Sequence, residues 1–322
     1  MSVQRVLITG ASGFIGGHLL DRFLELGWQV TGIGRRDVAH PSYRRHDLTR
    51  PLELDHEFDV VIHAAALASP WGTRREFERQ NVLGTQHVID FCARTNMPRL
   101  IAISTSSVYY REAHQFGITE ETELPKKAVN HYAATKREAE NRVARYGGEW
   151  MIVRPRAVFG PRDSVLLPRI LTAARAGKLP LLTTRGAPVV GDLIYIDNLV
   201  DCIVRAATDR SLHGIVNVTN NEPVPLQSFL LDLLHRLGIP APTRHVPVKL
   251  AMAAAGLLEL THRLFFPSRE PAITRFGIHV FAYSKTFDVT KMIAMMGAPR
   301  VSLREGVERT VAWLQGGAPS AS

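Results

Sequence analysis

The sequence has very little cysteine: Cys92 and Cys202 are its 2 cysteines among 322 residues, and each lies inside an apolar stretch. Two distant thiols do not make the disulfide framework or metal-ligand cluster that closely spaced cysteines indicate. We therefore predict two buried thiols, no metal site and a reducing compartment, the cytoplasm. The first residues, MSVQRVLITG, also lack the basic and then apolar segments of a leader, so we do not expect a secretory signal.

A concentrated basic tract is also missing, although the formal net charge is +9. The arginines that carry most of this excess are scattered along the chain, whereas nucleic-acid-binding proteins usually gather them in a patch. We expect no nucleic-acid partner, and we interpret most arginines as solvated surface, with a few available for the phosphates of a small ligand. With 45% hydrophobic and 21% charged residues, the chain can form one large α/β domain or two lobes.

Short apolar runs alternate with helical patterns through the first half of the chain. Because helices of ten or more residues separate these runs, the pattern predicts a Rossmann-type, doubly wound α/β fold whose parallel sheet is covered on both faces. The predicted strands are RVLIT from residue 5, WQVTGIGR from 28, DVVIHAAAL from 59, LIAISTSSVYY from 100 and WMIVRPRAVFG from 150.

The alternation loosens after about residue 160, where helical patterns dominate. We therefore predict a nucleotide-binding domain over 1–160, with returning segments at about 190–220. The smaller, mostly helical C-terminal substrate lobe would comprise 161–189 and 221–316. The last residues, 317–322, are small and polar, and we predict a disordered tail there.

A glycine-rich stretch, GASGFIG, joins the first predicted strand to the first helix. Glycines permit a tight turn and let backbone N–H groups approach a pyrophosphate at the helix N-terminus, where the helix dipole favours anions. A glycine pattern alone is weak, but the strand, turn and helix context is the one that dinucleotide binding requires. The predicted cofactor loop comprises Gly10, Ser12, Gly13, Phe14, Ile15 and Gly16.

Two arginines, Arg35 and Arg36, follow the second predicted strand, where an acidic residue usually holds the adenosine ribose. The first carboxylate, Asp37, comes too late. Guanidinium groups pair with a 2′-phosphate that a carboxylate would repel, so we predict NADP(H) as the preferred cofactor, with NAD(H) as the alternative. If NAD(H) is the cofactor, both arginines merely solvate a loop. We predict that Asp47 contacts the adenine edge, unless it serves a turn, and that Leu48 packs on the ring.

In HYAATKREAE, residues 131–140, Tyr132 and Lys136 are four positions apart and so share one face of a predicted helix. Taken alone, Tyr-x-x-x-Lys is a weak pattern that also arises by chance on exposed helices. We interpret Arg137, Glu138 and Glu140 of the same stretch as solvated helix surface.

Several motifs together resemble the extended short-chain dehydrogenases/reductases. They are GASGFIG, DVVIHAAAL, QNVLGT, STSSVYY, the Tyr132/Lys136 pair, RPRAVFGP and YIDNLVDCIVRA, and they cover nearly the whole chain in the family's order. The resemblance implies an NAD(P)-dependent oxidoreductase acting on CH–OH and C=O groups, with Tyr132 and Lys136 as the catalytic pair. It also implies a homodimer formed through two helices beside the active site, one of which carries Tyr132.

The chemistry gives a separate reason for these residue types. Reduction of a ketone needs a hydride at carbon and a proton at oxygen. A free tyrosine has a pKa of about 10, so we expect the Lys136 ammonium and the nicotinamide charge to favour the phenolate. A hydroxyl from a neighbouring strand end should hold the substrate oxygen. The family's hydroxyl position falls on Thr105, with Ser106 as the alternative, and the other hydroxyls of STSS would cap the strand's exit.

The resemblance places further residues around the cofactor. Three small alanine side chains would let the cofactor lie on the strand, and an asparagine would support the site from its helix. The segment from Pro155 to Val158, in the strand predicted from residue 150, would lie behind the nicotinamide. Arg154 either joins that segment or forms a structural ion pair. The implied cofactor positions are Ala64, Ala65, Ala66, Asn81, Tyr132, Lys136, Pro155 and Val158.

Two departures from the family pattern concern the reaction. Tyr110 replaces the glycine that usually follows Val-Tyr. Ser106 and Ser107 stand where sugar 4,6-dehydratases carry an Asp-Glu pair that transfers protons during elimination. Dehydration is therefore disfavoured.

The C-terminal part resembles the 3β-hydroxysteroid dehydrogenase branch in VNVTNNEPVPLQSFLLDLLHRLG, VPVKLAMAAAGLLE and FDVTKMIAMMGAPRVSLREGVERTVAWL. The apolar segment 250–266 is interrupted by charged residues and is too broken to span a membrane. It is a core helix, a lid over an apolar substrate, or a peripheral membrane contact.

We therefore predict a small hydrophobic substrate, a steroid, sterol or long-chain keto compound. The alternative is a nucleotide-sugar epimerase or reductase, for which Arg162, Arg169 and Arg185 could clamp a second diphosphate. A non-catalytic NADP-binding sensor is a third possibility, and the retained tyrosine and lysine argue against it.

Overall fold

The computed structural model describes residues 4–184, 186–266 and 269–316. The predicted disordered tail, 317–322, and Arg185 lie outside the described residues. The strands are β1 Arg5–Thr9, β2 Gln29–Gly34, β3 Tyr43–Arg45, β4 Val60–His63, β5 Arg99–Ile103, β6 Gln115–Ile118, β7 Trp150–Pro155, β8 Val158–Phe159, β9 Leu181–Thr183, β10 Val190–Gly191, β11 Ile194–Tyr195, β12 Gly214–Val218, β13 Val224–Pro225, β14 His245–Pro247 and β15 Lys285–Phe287.

Helices cover both faces of the main sheet and make up most of the later chain. A π-helical segment, Glu78–Leu83, joins the second helix to the third, and a 3-10 helix, Ser106–Tyr109, follows β5. The α-helices are α1 Phe14–Glu25, α2 Arg74–Phe77, α3 Gly84–Arg94, α4 His131–Val143, α5 Leu167–Arg175, α6 Ile196–Thr208, α7 Leu226–Arg236, α8 Val248–Phe265, α9 Arg275–Ala282, α10 Thr290–Met296 and α11 Leu303–Gln315.

The central sheet has seven parallel strands in the order β12-β7-β5-β4-β1-β2-β3. The strand order reverses between β1 and β4, which opens a crevice beyond their carboxyl ends. Every residue of β4 and β5 is buried, as expected for parallel strands covered on both faces. The predicted doubly wound Rossmann-type sheet is confirmed.

Alternate strand residues belong to two hydrophobic cores. On one face Val6 and Ile62 pack in the core that includes α1 and α6. On the other face Leu7 and Val61 pack with side chains of α3 and α4. The sheet therefore holds α4, which carries Tyr132, firmly beside α3.

A smaller sheet, β13-β10-β15-β6, and the pair β14-β9 lie outside the central sheet. Strand β6 comes from within 1–160 yet pairs with β15, whereas β12 of the returning segment joins the central sheet. Helices α8 and α9 pack together around Ala255 and Ile278. The division into two domains stays a prediction, with 115–118 as a segment that reaches the smaller sheet.

Two predicted elements differ from the structure. The strand predicted from Leu100 to Tyr110 ends at Ile103, because the Thr105 hydroxyl accepts the Ser107 amide at 3.1 Å and starts a 3-10 helix. The sequence REFERQNVLGTQHVIDFCART, from residue 75, predicts a single helix, but a π-helical segment interrupts it. Such segments are often found at functional sites.

Two other predictions concern the cysteines and the membrane. Both cysteines are buried free thiols, as predicted. Within the described ranges, every helix is too short or too polar to cross a bilayer.

Candidate active site

The glycine-rich loop closes tightly against the end of β4. Gly10 has a φ of +72°, and a Cβ there would lie 2.8 Å from the backbone nitrogen and Cα of Ala65. A Cβ on Gly16 would lie 2.2 Å from the Gly10 carbonyl oxygen. The first amides of α1, from Phe14 onward, have no partner within the helix. A compact loop at a helix N-terminus fits the pyrophosphate of a dinucleotide.

The end of β2 is cationic. The Arg36 guanidinium donates to the carbonyl oxygen of Ser12, which holds it against the glycine-rich loop. The nearby carboxylate of Asp37 pairs with Arg45 at 2.9 Å. Arg35 is exposed, and its carbonyl oxygen accepts the Arg45 Nε–H at 3.1 Å.

Asp47 begins a turn, because its Oδ1 accepts the Thr49 amide at 3.0 Å. Partial burial raises the pKa of Asp47, but the bonds from Thr49 and the charge of Arg35 outweigh this and hold it below its usual range. Leu48 is buried in the core beside α3. The turn role is thus present, and adenine contacts by Asp47 and Leu48 stay predictions.

His63, which we did not predict from the sequence, connects the ends of β1 and β4 to α3. Its Nδ1 lies 2.8 Å from Thr9 Oγ1, and its Nε2 lies 2.9 Å from Thr85 Oγ1. The Ala65 amide donates to the same Thr9 hydroxyl at 3.1 Å. Burial, with a smaller effect of the Lys136 charge, lowers the pKa of His63 to about 3, so the ring is neutral. The sequence did contain a signal for His63: a polar residue ends an apolar strand directly before three alanines.

Asn81 lies in the π-helical segment and is 1% exposed. Its Oδ1 accepts the Leu67 amide at 2.7 Å, and its Nδ2 donates to Thr135 Oγ1 at 3.1 Å. It therefore ties the loop after β4, where Ala64 and Ala66 are half-buried, to α4. A supporting role for Asn81 in cofactor binding stays a prediction.

Tyr132, Lys136 and Thr105 come together where β5 ends beside α4. Asn130 caps α4 and fixes where the helix starts. Lys136 is 4% exposed, and its Nζ donates to the Ile103 carbonyl oxygen at 2.5 Å. Tyr132 is half-buried, and the Thr105 side chain lies close enough to its hydroxyl to lower its pKa. The structure thus brings the three predicted catalytic side chains into one place.

Burial dominates the ionisation of the catalytic pair. It raises the pKa of Tyr132 to about 12, and the nearby Thr105 hydroxyl offsets only part of this rise. It lowers the pKa of Lys136 to about 8, with Glu140 acting in the opposite direction. Lys136 Nζ donates to the Ile103 carbonyl oxygen, and the rise in the Tyr132 pKa comes from desolvation. That Lys136 and a bound nicotinamide together favour the phenolate stays a prediction. At neutral pH Tyr132 is a protonated phenol and Lys136 an ammonium.

Glu140 is buried, so its interpretation as solvated surface is wrong. Arg154 Nε donates to Oε1 of Glu140 at 2.8 Å, and Nη2 donates to Oε2 at 2.6 Å. Arg154 also donates to the Tyr109 hydroxyl. Glu140 follows Lys136 by four positions, as Lys136 follows Tyr132, so all three share the buried face of α4. The ion-pair interpretation of Arg154 is confirmed.

The chain turns sharply after β7. Pro155 is buried, Ala157 has a φ of +43°, and half-buried Val158 pairs with Ile194. A non-glycine residue at positive φ is uncommon and must be held by its surroundings. Packing thus fixes the backbone of the segment from Pro155 to Val158, which the family resemblance places beside the nicotinamide. Its contact with the cofactor stays a prediction.

Most predicted site residues lie at the carboxyl edge of the central sheet, where β1, β2, β4, β5 and β7 end. They surround the crevice between β1 and β4. Among the described residues, no group of three or more His, Cys, Asp or Glu side chains could hold a metal ion.

Sequence comparisons give the family and similar proteins. Residues 6–219 match the NAD dependent epimerase/dehydratase family. The chain is 32% identical to the 2-alkyl-3-oxoalkanoate reductase of Shewanella oneidensis, over 97% of this chain and 87% of that protein. It is 34% identical to 3beta-hydroxysteroid-dehydrogenase/decarboxylase isoform 2 of Arabidopsis thaliana, over 95% and 61%. It is 29% identical to the mouse sterol-4-alpha-carboxylate 3-dehydrogenase, decarboxylating, over 96% and 90%.

Solved structures show the same fold. The UDP-glucuronic acid 4-epimerase from Bacillus cereus in complex with NAD aligns with a TM-score of 0.72 and 21% identity, over 97% of this chain and 99% of that one. The UDP-glucose 4-epimerase of Thermotoga maritima aligns with a TM-score of 0.73 and 20% identity, over the same shares. The chain belongs to the NAD dependent epimerase/dehydratase family and is an oxidoreductase of the extended short-chain dehydrogenase/reductase type.

Proposed function

We propose that this protein is an NADP(H)-dependent oxidoreductase that interconverts a hydrophobic ketone and its secondary alcohol. The observation that carries the proposal is that Tyr132 lies beside Thr105 and one helical turn from buried Lys136, at the carboxyl edge of a dinucleotide-binding sheet. A phenol, a second hydroxyl and an ammonium are the groups that proton transfer to a carbonyl oxygen requires.

In reduction, the Tyr132 hydroxyl donates its proton to the carbonyl oxygen, which the Thr105 hydroxyl holds in place. The Lys136 ammonium stabilises the phenolate that forms, and oxidation reverses these roles. The nicotinamide, when bound, supplies or accepts the hydride at the substrate carbon. Because Tyr132 is protonated at neutral pH, the site is prepared to act as the acid of the reduction.

The cationic end of β2 supports NADP(H) over NAD(H). Arg35 is exposed and Arg36 lies on the glycine-rich loop, while Asp37 is already paired with Arg45. A 2′-phosphate placed here meets guanidinium groups and no free carboxylate.

The names of the relatives support an apolar substrate. Two act on sterols or steroids by name, and a third is named for an alkyl-substituted oxoalkanoate. Two of the three arginines weighed for a second diphosphate clamp are engaged within the chain: Arg162 pairs with Asp21 at 2.8 Å and Arg169 with Glu270 at 3.0 Å. This pairing argues against a nucleotide sugar. We therefore propose a steroid, sterol or long-chain keto compound as the substrate.

The test is a turnover panel. Steroid ketones and long-chain 3-oxo esters are incubated with NADPH and with NADH, and UDP- and GDP-sugars are incubated in parallel. We expect NADPH oxidation with one of the apolar ketones. Conversion of a nucleotide sugar without turnover of any ketone would establish the epimerase alternative, and NADPH binding without any turnover would establish the sensor.

An exposed apolar surface on α8 suggests how such substrates arrive. Only three of the 18 residues of α8, Ala251, Ala255 and Glu259, are buried, which argues against the core-helix interpretation. Exposed basic residues, Lys249 and Arg263, adjoin the apolar side chains. We name these side chains the α8 apolar surface; it comprises Leu250, Leu257, Leu258, Leu260, Leu264, Phe265 and Phe266.

We propose that the α8 apolar surface binds anionic membranes peripherally. Contiguous exposed apolar side chains beside cations are typical of helices that lie in the headgroup region. The end of α8 also reaches the active-site side, because Arg263 lies 5.7 Å from the Trp71 ring centroid, in the loop between β4 and α2. An apolar substrate dissolved in the bilayer would then enter near the crevice.

We further propose a cytoplasmic homodimer. Buried free thiols suit a reducing compartment. The outer side of α4 presents His131, Ala134 and Glu138 to solvent, where a partner helix could pack. Sedimentation equilibrium should give the mass of two chains, and a monomer at every concentration would contradict the dimer.

A further inference from the structure

A small cavity lies beside Lys136, between the ends of β4 and β5 and the helices α3 and α4. It extends along the buried face of α4 in the direction away from Tyr132. Its volume is about 10 Å³, which is room for about one water molecule. Apolar side chains form part of its wall, and the polar side chains that line it are His63, Thr85, Ser104, Lys136 and Glu140.

Ser104 brings a hydroxyl to this cavity that lacks a partner. The residue is 5% exposed, and its Oγ has no hydrogen-bond partner among the described residues. Its backbone is fixed by β7, because the Ser104 amide donates to the Val153 carbonyl oxygen at 2.7 Å. A buried hydroxyl without a partner is costly, since it has given up its hydrogen bonds to water. The cavity is therefore the place where Ser104 finds its partner.

Lys136 has hydrogen bonds to spare. An ammonium has three N–H groups, and Lys136 Nζ uses one of them on the Ile103 carbonyl oxygen at 2.5 Å. That bond leaves one N–H group for the side of Tyr132 and one for the cavity. Burial lowers the pKa of Lys136 to about 8, so every acceptor that the ammonium gains helps it to stay charged.

The hydrogen bonds of His63 fix it as a neutral ring. The Thr85 hydroxyl donates to the Asn81 carbonyl oxygen at 2.5 Å, so it accepts from His63 Nε2–H at 2.9 Å. The Thr9 hydroxyl accepts the Ala65 amide at 3.1 Å, and its own proton goes to His63 Nδ1 at 2.8 Å. Both ring nitrogens are therefore occupied. The ring neither repels the nearby ammonium nor offers an N–H group to the cavity.

The other ionisable groups near Lys136 are Glu140, Arg154 and Tyr132. Both carboxylate oxygens of Glu140 accept from Arg154, at 2.8 and 2.6 Å, and each keeps a further lone pair. Tyr132 is a protonated phenol. A water that accepts from Lys136 can thus donate its two protons to Ser104 Oγ and to Glu140. Three hydrogen bonds are the usual number for a buried water.

We propose that this cavity binds one water molecule, which joins Lys136 Nζ to Ser104 Oγ and Glu140, and that Ser104 is thereby a positioning residue that keeps Lys136 charged. The role of this water is to hold the ammonium in place, and it moves no proton. The effect on turnover rests on the proposed oxidoreductase function, whereas the water site rests on the cavity and on the hydrogen bonds around it.

The test measures the protonation of Lys136 directly. Protein labelled with carbon-13 at the lysine Cε atoms is titrated by NMR, and the Lys136 signal is identified by its loss in Lys136→Met. Ser104→Val replaces the hydroxyl by methyl groups that fill the cavity. We expect the pKa of Lys136 to fall by about one unit in this variant, because the ammonium loses one hydrogen bond. Ser228→Val makes the same change at an exposed position of α7 and should leave the pKa of Lys136 unchanged.

The pH profile of turnover should move with this titration. In Ser104→Val, kcat/KM for ketone reduction should begin to fall at a pH about one unit below that of the wild type. Ser104→Ala leaves room for a second water in place of the hydroxyl, so its shift should be smaller, about half a unit. The alanine variant carries the comparison if the valine variant does not fold.

Two results would overturn the proposal. One is a loss of activity at every pH with an unmoved Lys136 titration, which would show a merely structural role for Ser104. The other is a crystal structure without an ordered water within hydrogen-bond distance of both Lys136 Nζ and Ser104 Oγ. A shifted titration in a protein that reduces no ketone would leave the water site standing and refute the proposed function.

Discussion

Lys136 is the residue whose charge makes the reaction depend on pH. Burial lowers its pKa to about 8, so it is an ammonium below that pH and loses its proton above it. The phenolate formed by Tyr132 in reduction then loses its stabilising charge. We expect kcat/KM for ketone reduction with NADPH to be constant below pH about 7 and to fall as pH rises past about 8.

The control for this profile is Lys127→Met, which removes an exposed lysine outside the site. It should retain the wild-type profile. A reduction rate that stays level to pH about 10 would show that Lys136 does not act through its charge.

Arg35 is the residue on which cofactor choice depends. Arg35→Asp places a carboxylate where we propose the 2′-phosphate and should lower the ratio of kcat/KM for NADPH to that for NADH roughly 10- to 100-fold. Arg304→Asp makes the same charge change on α11, at a side chain 82% exposed, and should leave the ratio unchanged. Equal effects of the two variants would contradict the 2′-phosphate site.

At the scale of elements, α4 depends on the buried pair of Glu140 and Arg154. Removing one partner of a buried ion pair leaves the other charge unpaired, so Glu140→Ala should lower the free energy of unfolding by about 3–5 kcal/mol. Glu138→Ala breaks an exposed pair with Arg142 on the same helix, at 3.3 Å, and should cost about 0.3–0.5 kcal/mol. Urea unfolding at pH 7 measures the free energy of unfolding of both variants. Similar losses in the two variants would show that the buried pair stabilises the protein no more than the exposed pair.

The sequence predicted the main strands and helices correctly, but not where all of them end. The glycine-rich loop and the alternation of strands and helices predicted the order around β1, β4 and β5. Leu100 to Tyr110 is apolar or β-favouring at many positions, yet Thr105 ends the strand by capping the next turn. Glu140 looked exposed because its neighbours are charged, and its partner Arg154 is distant in sequence and became visible only in three dimensions.

At the scale of the whole molecule, the parallel sheet was predictable because each strand carries its own apolar pattern. The smaller sheet was not, since it joins Gln115–Ile118 to Lys285–Phe287, and short strands paired across that separation leave no local signal. The same limit applies to His63, whose importance comes from neighbours contributed by other elements.

The α8 apolar surface makes a prediction for the whole molecule. The wild type should co-sediment with vesicles that contain phosphatidylserine, and a Leu257→Glu, Leu264→Glu double variant should lose most of this binding. Both positions are exposed, 64% and 67%, so the fold should tolerate the change. Phe116→Glu, at a residue 67% exposed on β6, is the matched control and should bind like the wild type.

Two outcomes would contradict this membrane contact. One is the absence of vesicle binding by the wild type. The other is equal loss in the double variant and in Phe116→Glu, which would indicate a general effect of added negative charge.

The most direct test of the central claim compares the wild type with Tyr132→Phe, in NADPH binding and in turnover of the apolar ketone that the wild type accepts. The variant lacks a single hydroxyl in a half-buried position, so it should fold and bind NADPH with nearly the wild-type Kd. Without the proton donor, kcat should fall by at least about 100-fold. A Tyr132→Phe enzyme that reduces the ketone at the wild-type rate would contradict the account.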